Sequence, residues 1–259
     1  MRTLRNRVTV ITGAGRGIGR ALALGFAEQG ARLALVARSS SELEAVEEQV
    51  RRAGTAAISI AENLSDPSGP DRAIDQVLAE FGTIDILINN AAVGSSANPK
   101  PVAQFDDEFW NYTLALNLTA PYRLSKRVLP LMIAQKEGRI LNIASLAGKI
   151  GLPFGAAYAA TKHGLLGLTR SLAMEVVRDG ITVNAICPGP VQSEASDKRL
   201  QFEANRTGLT VEELERRSTP IGRRLHAHEI VPLALLLAQE SASVITGQAF
   251  NVDGGLAMF

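Results

Sequence analysis

The stretch ITGAGRGIGRAL, residues 11–22, carries four glycines, Gly13, Gly15, Gly17 and Gly19, between a β-branched apolar run and a helical pattern. A strand that enters a helix through such a turn brings backbone N–H groups to the positive end of the helix dipole, a setting suited to a pyrophosphate. A glycine cluster is equally the mark of a tight turn that binds nothing. The surrounding chain has to separate the two.

Outward from this turn, short apolar runs recur: RVTVIT (7–12), RLALVA (32–37), AAISIA (56–61), IDILINN (84–90), GRILNIAS (138–145), ITVNAIC (181–187) and QAFNV (248–252). Between them lie segments such as ALALGFAEQG and ELEAVEEQVRRAG, with apolar residues at i, i+3, i+4 spacing and a closing glycine. Strands alternating with helices predict right-handed crossovers and a doubly wound, open parallel sheet with helices on both faces. The expectation is one α/β domain over 1–259. The rhythm breaks only at 189–225, where the charged TVEELERRS interrupts it. An insertion at the carboxyl end of a strand is where lids over α/β sites occur, so this segment is read as a substrate-facing flap; a solvated surface helix is the plainer alternative.

Composition agrees. A chain 46% hydrophobic but only 5% aromatic builds its core from Ala, Val, Ile and Leu, as a helix-covered parallel sheet does. The net charge of +1 gives no electrostatic reason to expect nucleic acid or an anionic membrane as partner. Cys187 is the sole cysteine, which excludes an internal disulfide and a cysteine metal cluster. The N-terminal MRTLRNRVTV lacks a signal-peptide core, and no run approaches the about 20 apolar residues of a membrane span, so a cytoplasmic protein is expected.

Two spacings suggest chemistry. YAATKHG puts Tyr158 and Lys162 on one face of a helix. A tyrosine titrates near ~10, and a neighbouring ammonium is expected to lower that value and make Tyr158 a general acid or base. Taken alone, YxxxK is common on amphipathic helix surfaces. Ser145, however, ends the strand thirteen residues earlier, where a doubly wound sheet places its ligand crevice. Pro121 has no N–H to give the carbonyl of Asn117, four positions back in LALNLTAP, which leaves that carbonyl open to a water. Ser145 lacks the GxSxG elbow of a hydrolase, and His163, His226 and His228 form no metal-ligand pattern beyond a weak HxH; no metal is expected.

The spacing TGxxxGxG at Thr12 to Gly19 resembles the short-chain dehydrogenase/reductase family. The resemblance continues through NNAA (89–92), with Ala92 in place of a glycine, ENLSD (62–66), PGPVQS (188–193) and ITGQAFNVDGG (245–255). It implies a Rossmann-type fold holding a nicotinamide coenzyme. The implied contacts are Gly13, Gly15, Arg16, Gly17, Ile18 and Gly19 in the turn, Asn63 and Leu64 at the adenine, with Asn63 replacing the family's aspartate, and Asn90 and Ala91 after the fourth strand. Pro188, Gly189, Val191 and Ser193 would hold the carboxamide. The resemblance further implies that Ser145 orients the substrate oxygen, Tyr158 exchanges its proton, Lys162 also binds the ribose, and Asn117 holds a relay water.

NAD-preferring sites usually carry an acidic residue at the end of the second strand to hold the ribose diol. Here Ala37 and Arg38 stand there; with no carboxylate expected, Arg38 can pair with a 2′-phosphate and Arg16 can approach from the turn. NADP(H) is therefore expected ahead of NAD(H). The expected activity is a carbonyl reductase or secondary alcohol dehydrogenase acting on a small molecule. The alternatives are a 3-oxoacyl-thioester reductase, a 3-hydroxy acid dehydrogenase, and a non-catalytic NADP(H) sensor. A homotetramer, or else a homodimer, is implied by the family's habit.

Overall fold

The computed structural model describes residues 3–259. Seven strands, β1 (Val8–Thr12), β2 (Arg32–Ala37), β3 (Ala57–Ala61), β4 (Ile86–Asn89), β5 (Gly138–Ile143), β6 (Ile181–Pro188) and β7 (Ala249–Val252), form one sheet in the order β3-β2-β1-β4-β5-β6-β7. Every pairing is parallel. All seven expected strands are present. Trimming falls at their ends: in 138–145, pairing stops at Ile143 and leaves Ser145 just beyond the strand.

Apolar residues at successive positions work because both faces are covered. Leu33 and Leu35 face the layer of α1 (Gly17–Glu28), α2 (Ser40–Arg52) and α9 (Val231–Ala238), against Phe26, Leu43 and Leu237. Their neighbours Ala34 and Val36 face the opposite layer of α3 (Gly69–Phe81), α5 (Ala120–Gln135) and α6 (Ala156–Val176), against Ile74, Val128 and Leu172. The chain winds from β1 outward to β3, then returns to lay β4 on the other side of β1. At that reversal the connections leave in opposite directions and open a crevice at the carboxyl ends of the strands.

Two local features shape the crevice. Asp106 caps α4 (Asp107–Leu114), and between α4 and α5 the backbone takes one π turn, Ala115–Thr119, around Asn117. Pro121 supplies no N–H to the carbonyl of residue 117, and a widened turn is how a helix absorbs such a gap. The flap, charged as its sequence is, folds as α7 (Glu194–Thr207) and α8 (Val211–Arg216). Thr210 and Glu213 form a reciprocal capping box at the start of α8, the local reason that TVEELER is helical.

Candidate active site

The glycine turn lies in the crevice. Gly13 is left-handed at φ +65°. A Cβ on Gly19 would stand 2.0 Å from the Gly13 carbonyl oxygen, and one on Gly13 would stand 2.9 Å from Ala91 Cα. Only bare backbone allows the helix, the turn and the segment after β4 to approach this closely. That segment is tied down: the Thr12 hydroxyl accepts from the N–H groups of Asn90 (2.9 Å) and Ala91 (3.0 Å), while the Asn90 amide donates to the Thr12 carbonyl at 2.9 Å. Arg16, at the N-cap of α1, offers no side-chain capping bond. The helix dipole thus opens onto the crevice with no side-chain acceptor at its cap, which suits a coenzyme's pyrophosphate.

On one side of the turn is a cavity of about 330 Å³ that Gly13, Gly15, Arg16, Ala37, Arg38 and Leu64 help to line. Arg38 donates to the Tyr112 hydroxyl at 3.2 Å. Ala37 does stand at the end of β2, but the cavity is not free of carboxylates, because Glu42 from α2 and Glu62 after β3 also line it. Glu62 is neutralised by a two-point pair with Arg72 at 2.9 and 2.8 Å, which holds its carboxyl below the usual range. Glu42 has only a long contact to Arg16, at 4.0 Å. Asn63, expected at the adenine, is exposed and outside the cavity lining; its amide oxygen accepts from the Ser65 N–H at 3.2 Å and hydroxyl at 2.8 Å, closing a local turn.

On the other side is a cavity of about 430 Å³ lined by Ser145, Tyr158, Lys162, Ile18, Asn90 and the 188–193 segment, including Pro188, Gly189, Val191 and Ser193. Gly189 is pressed against Asp253, whose Cα a Cβ would meet at 2.9 Å. The Ser193 hydroxyl accepts from the Ser196 N–H at 3.2 Å and starts α7. Ser145 Oγ accepts from the Ala147 N–H at 3.1 Å. The two cavities share Asn90 and Ala92, so one elongated ligand can cross the turn between them.

Tyr158 and Lys162 share a face of α6 as expected, yet the electrostatics differ from the simple picture. Lys162 is 3% exposed and donates from Nζ to the Ile143 carbonyl at 2.7 Å, with Nζ lying 5.6 Å from the centre of the Tyr158 ring. Burial lowers Lys162 to about 8. Burial raises Tyr158, with a hydrogen bond to Ser145 pulling the other way. The ammonium is committed to a strand carbonyl, and burial rather than the neighbouring charge sets the direction of the phenol's shift. Asn117 is 1% exposed; its side chain accepts from the Val93 N–H (2.9 Å) and donates to the Val93 carbonyl (3.0 Å) and the Thr161 hydroxyl (3.3 Å), locking the π turn to the crevice floor.

The lysine yields a stability prediction. Its ammonium titrates near 10.5 when free and near 8 when folded, so between those values the unfolded chain holds the extra proton and raising the pH favours the fold. Below about pH 8 the penalty for burying the charge is fully present. Lys162→Met, similar in length and uncharged, is expected to make the coenzyme-free protein more stable at pH 7 by about 1–3 kcal/mol, less the lost bond to Ile143. The gap should close toward pH 10.5, the ordinary lysine value, as read by denaturant unfolding across pH. A wild type more stable than the variant at pH 7 would contradict the cost assigned to the buried charge.

Several lining residues carry no signal in sequence. Ser95 and Ser96 come from the segment after β4, Ile150 and Leu152 from the loop before α6, Arg199 from the flap and Leu256 from the C-terminal segment. Among the described residues no group of His, Cys, Asp or Glu could hold a metal ion, and no helix is long and apolar enough to cross a membrane.

A family model described as short chain dehydrogenase matches residues 7–204. A granaticin polyketide synthase protein of Streptomyces violaceoruber, named as a ketoacyl reductase, is 36% identical over 262 residues, covering 99% of this chain and 95% of its own. The 3-oxoacyl-acyl-carrier-protein reductase FabG of Escherichia coli K12 is 35% identical, covering 97% and 98%. Among solved structures, a variant of actinorhodin polyketide ketoreductase with NADPH superposes at a TM-score of 0.92 with 33% identity, covering 98% of both chains. The matched span runs from the strand before the glycine turn into the first flap helix, on a sheet wound in the order such a turn requires, and on that footing the chain belongs to the short-chain dehydrogenase family of oxidoreductases.

Proposed function

We propose that this protein is an NADPH-dependent ketoreductase whose proton donor is Tyr158. The observation that carries the reading is the convergence of Ser145, Tyr158 and Lys162 on one cavity that adjoins a glycine turn built for a dinucleotide. When bound, the coenzyme supplies the hydride to the carbonyl carbon. Ser145 holds the substrate oxygen by a hydrogen bond, and Tyr158 gives that oxygen its proton. Lys162 binds the ribose and supports the phenolate left behind. Asn117 keeps the π turn open, so that a water on its carbonyl can return a proton to the pair. Leu146, Ile150, Leu152 and Val191 keep bulk water from the reacting carbon.

The 2′-phosphate is assigned to Arg38 and Arg16, the latter lying 3.4 Å from Glu194 and 4.0 Å from Glu42. The ketoreductase neighbour solved with NADPH supports this choice. A 3-oxoacyl reductase is the favoured form of the activity, because the curated relatives above are named for it. The adenine is assigned to the wall around Leu64. We further assign the protein to the cytoplasm and to a homotetramer, which the exposed Tyr122 and Ile133 on α5 and Met174 on α6 support.

The test is oxidation of NADPH and NADH followed by absorbance against monoketones, 3-oxo esters, 3-oxoacyl thioesters and diketones. Turnover with NADPH is expected to exceed that with NADH by about tenfold or more, the worth of a charge-assisted guanidinium–phosphate pair. Ala37→Asp should invert the ratio by repelling the phosphate and holding the diol. An unchanged ratio would refute the assignment of Arg38, while tight NADPH binding without turnover on any substrate would favour the sensor.

A further inference from the structure

Beyond Lys162, the substrate cavity has a second cation on its wall. Arg199 of α7 lines it, and no Asp or Glu does among the described residues. The guanidinium is firmly held. Its Nη2 donates to the Pro153 carbonyl at 2.8 Å and to Glu203 at 2.6 Å, and its central carbon Cζ lies 5.3 Å from the centre of the Phe202 ring. Phe202 meets Phe154 edge-on at 5.7 Å, and Arg206 lies over Phe154 while pairing with the same Glu203 at 2.6 Å. Phe154 itself is a non-glycine residue in left-handed backbone, at φ +58°, a conformation that persists where surroundings enforce it.

One donor in this assembly is left over. Arg199 Nη1 is buried and has no hydrogen-bond partner among the described residues. Two guanidinium groups share the single carboxylate of Glu203, so the trio keeps one positive charge. Elsewhere the cavity wall is mostly Ala, Gly, Leu, Ile and Pro with a few hydroxyls. A substrate whose only polar atom is the reacting carbonyl would leave Arg199 Nη1 without an acceptor.

We propose that Arg199 is a specificity-determining residue that donates to a second acceptor oxygen on the substrate, so that the preferred substrates are oxo compounds carrying an additional carbonyl or carboxylate. The inference rests on the ketoreductase reading and deepens it: it names the chemical feature that separates a good substrate from a plain ketone. The fixed fork of Arg199 reads that oxygen while Ser145 and Tyr158 read the first. A lysine would supply charge without the fork.

The test compares wild type, Arg199→Met, Arg199→Lys and Phe202→Leu on three substrates with NADPH: ethyl 3-oxobutanoate, the 3-oxobutanoate anion and a monoketone of matched length. Arg199→Met is expected to raise KM for at least one of the two-acceptor substrates by about 10- to 100-fold, with kcat little changed and the monoketone unaffected. The larger loss tells whether the partner is an ester carbonyl or a carboxylate. Arg199→Lys should fall between, and Phe202→Leu, which loosens the anchoring and keeps the guanidinium, should spare discrimination between substrates. An equal loss on all three, or none, would overturn the proposal. Melting temperature and NADPH binding report whether a variant has folded; if Arg199→Met has not, Arg199→Lys alone decides by the same ratio. Calorimetry of the ester binding to the wild-type and variant NADP⁺ complexes keeps the recognition claim testable even if the wild type reduces no ketone, an outcome that would sink the ketoreductase reading instead.

Discussion

Tyr158→Phe is expected to lower kcat for carbonyl reduction by about 100- to 10,000-fold, the range that a positioned general acid contributes. The change removes one oxygen and keeps the half-buried ring, so α6 and its contacts should be undisturbed. NADPH affinity, read by fluorescence titration, should stay within about threefold, because the glycine turn and Arg38 do not touch the phenol. The direction of the pH dependence follows from the free protein. Burial holds Tyr158 above the ordinary phenol value, so at neutral pH it carries the proton that reduction requires. Lys162, lowered to about 8, is still mostly charged at pH 7 and loses its proton as the pH rises. Reduction should therefore weaken through that range, because the phenolate that proton donation leaves behind loses its supporting charge. A variant that keeps a tenth or more of the wild-type rate would remove Tyr158 from the proton-donor role.

What the sequence discloses and withholds about this site follows from how far each interaction reaches along the chain. The seven strands were legible because both faces of the sheet are covered and each strand is a short run dominated by apolar and β-branched residues. The shared face of Tyr158 and Lys162 was legible because helical spacing fixes it. The direction of the lysine was not: its partner, the Ile143 carbonyl, lies nineteen residues away on β5, and a four-carbon stem can turn toward either a phenol or a strand end. Glu42 was hidden in the same way. It sits in the first turn of α2 and reaches the cavity beside the glycine turn because α2 packs back along the sheet, a tertiary fact with no local pattern. The turn that Asn63 closes was within view, since an asparagine two residues before a serine readily forms an Asx turn. In the flap, Arg199 was one of several arginines in a charged stretch; the ring of Phe202 and the loop carbonyl of Pro153 single it out only once folded.

Gly19→Ala should be the most damaging single methyl group that can be added to the coenzyme site. The new Cβ would lie 2.0 Å from the Gly13 carbonyl oxygen, and 2.7 Å from both the Gly13 carbonyl carbon and the Asn90 amide nitrogen. None of these can swing aside as a flexible side chain would. The Gly13 N–H is bonded to the Val36 carbonyl at 2.7 Å, and the Asn90 amide donates to the Gly13 carbonyl at 3.2 Å, so the turn is pinned to β2 on one side and to the segment after β4 on the other. Relief requires α1 to move off the turn, carrying its N–H groups away from the pyrophosphate position. NADPH affinity is expected to fall by about 100-fold or more, with a lower melting temperature in the free protein as the cost of overpacking, about 1–3 kcal/mol. Gly17→Ala provides the contrast. Its Cβ would meet nothing within 4 Å, but its φ of +55° is left-handed, so it should cost about 1–2 kcal/mol of stability while leaving the close approach intact. If glycine serves here to bring backbone onto a phosphate, Gly19→Ala must impair binding far more than Gly17→Ala; the reverse order would mean that the turn needs glycine for its handedness, and that the coenzyme gains little from the contact at Gly13.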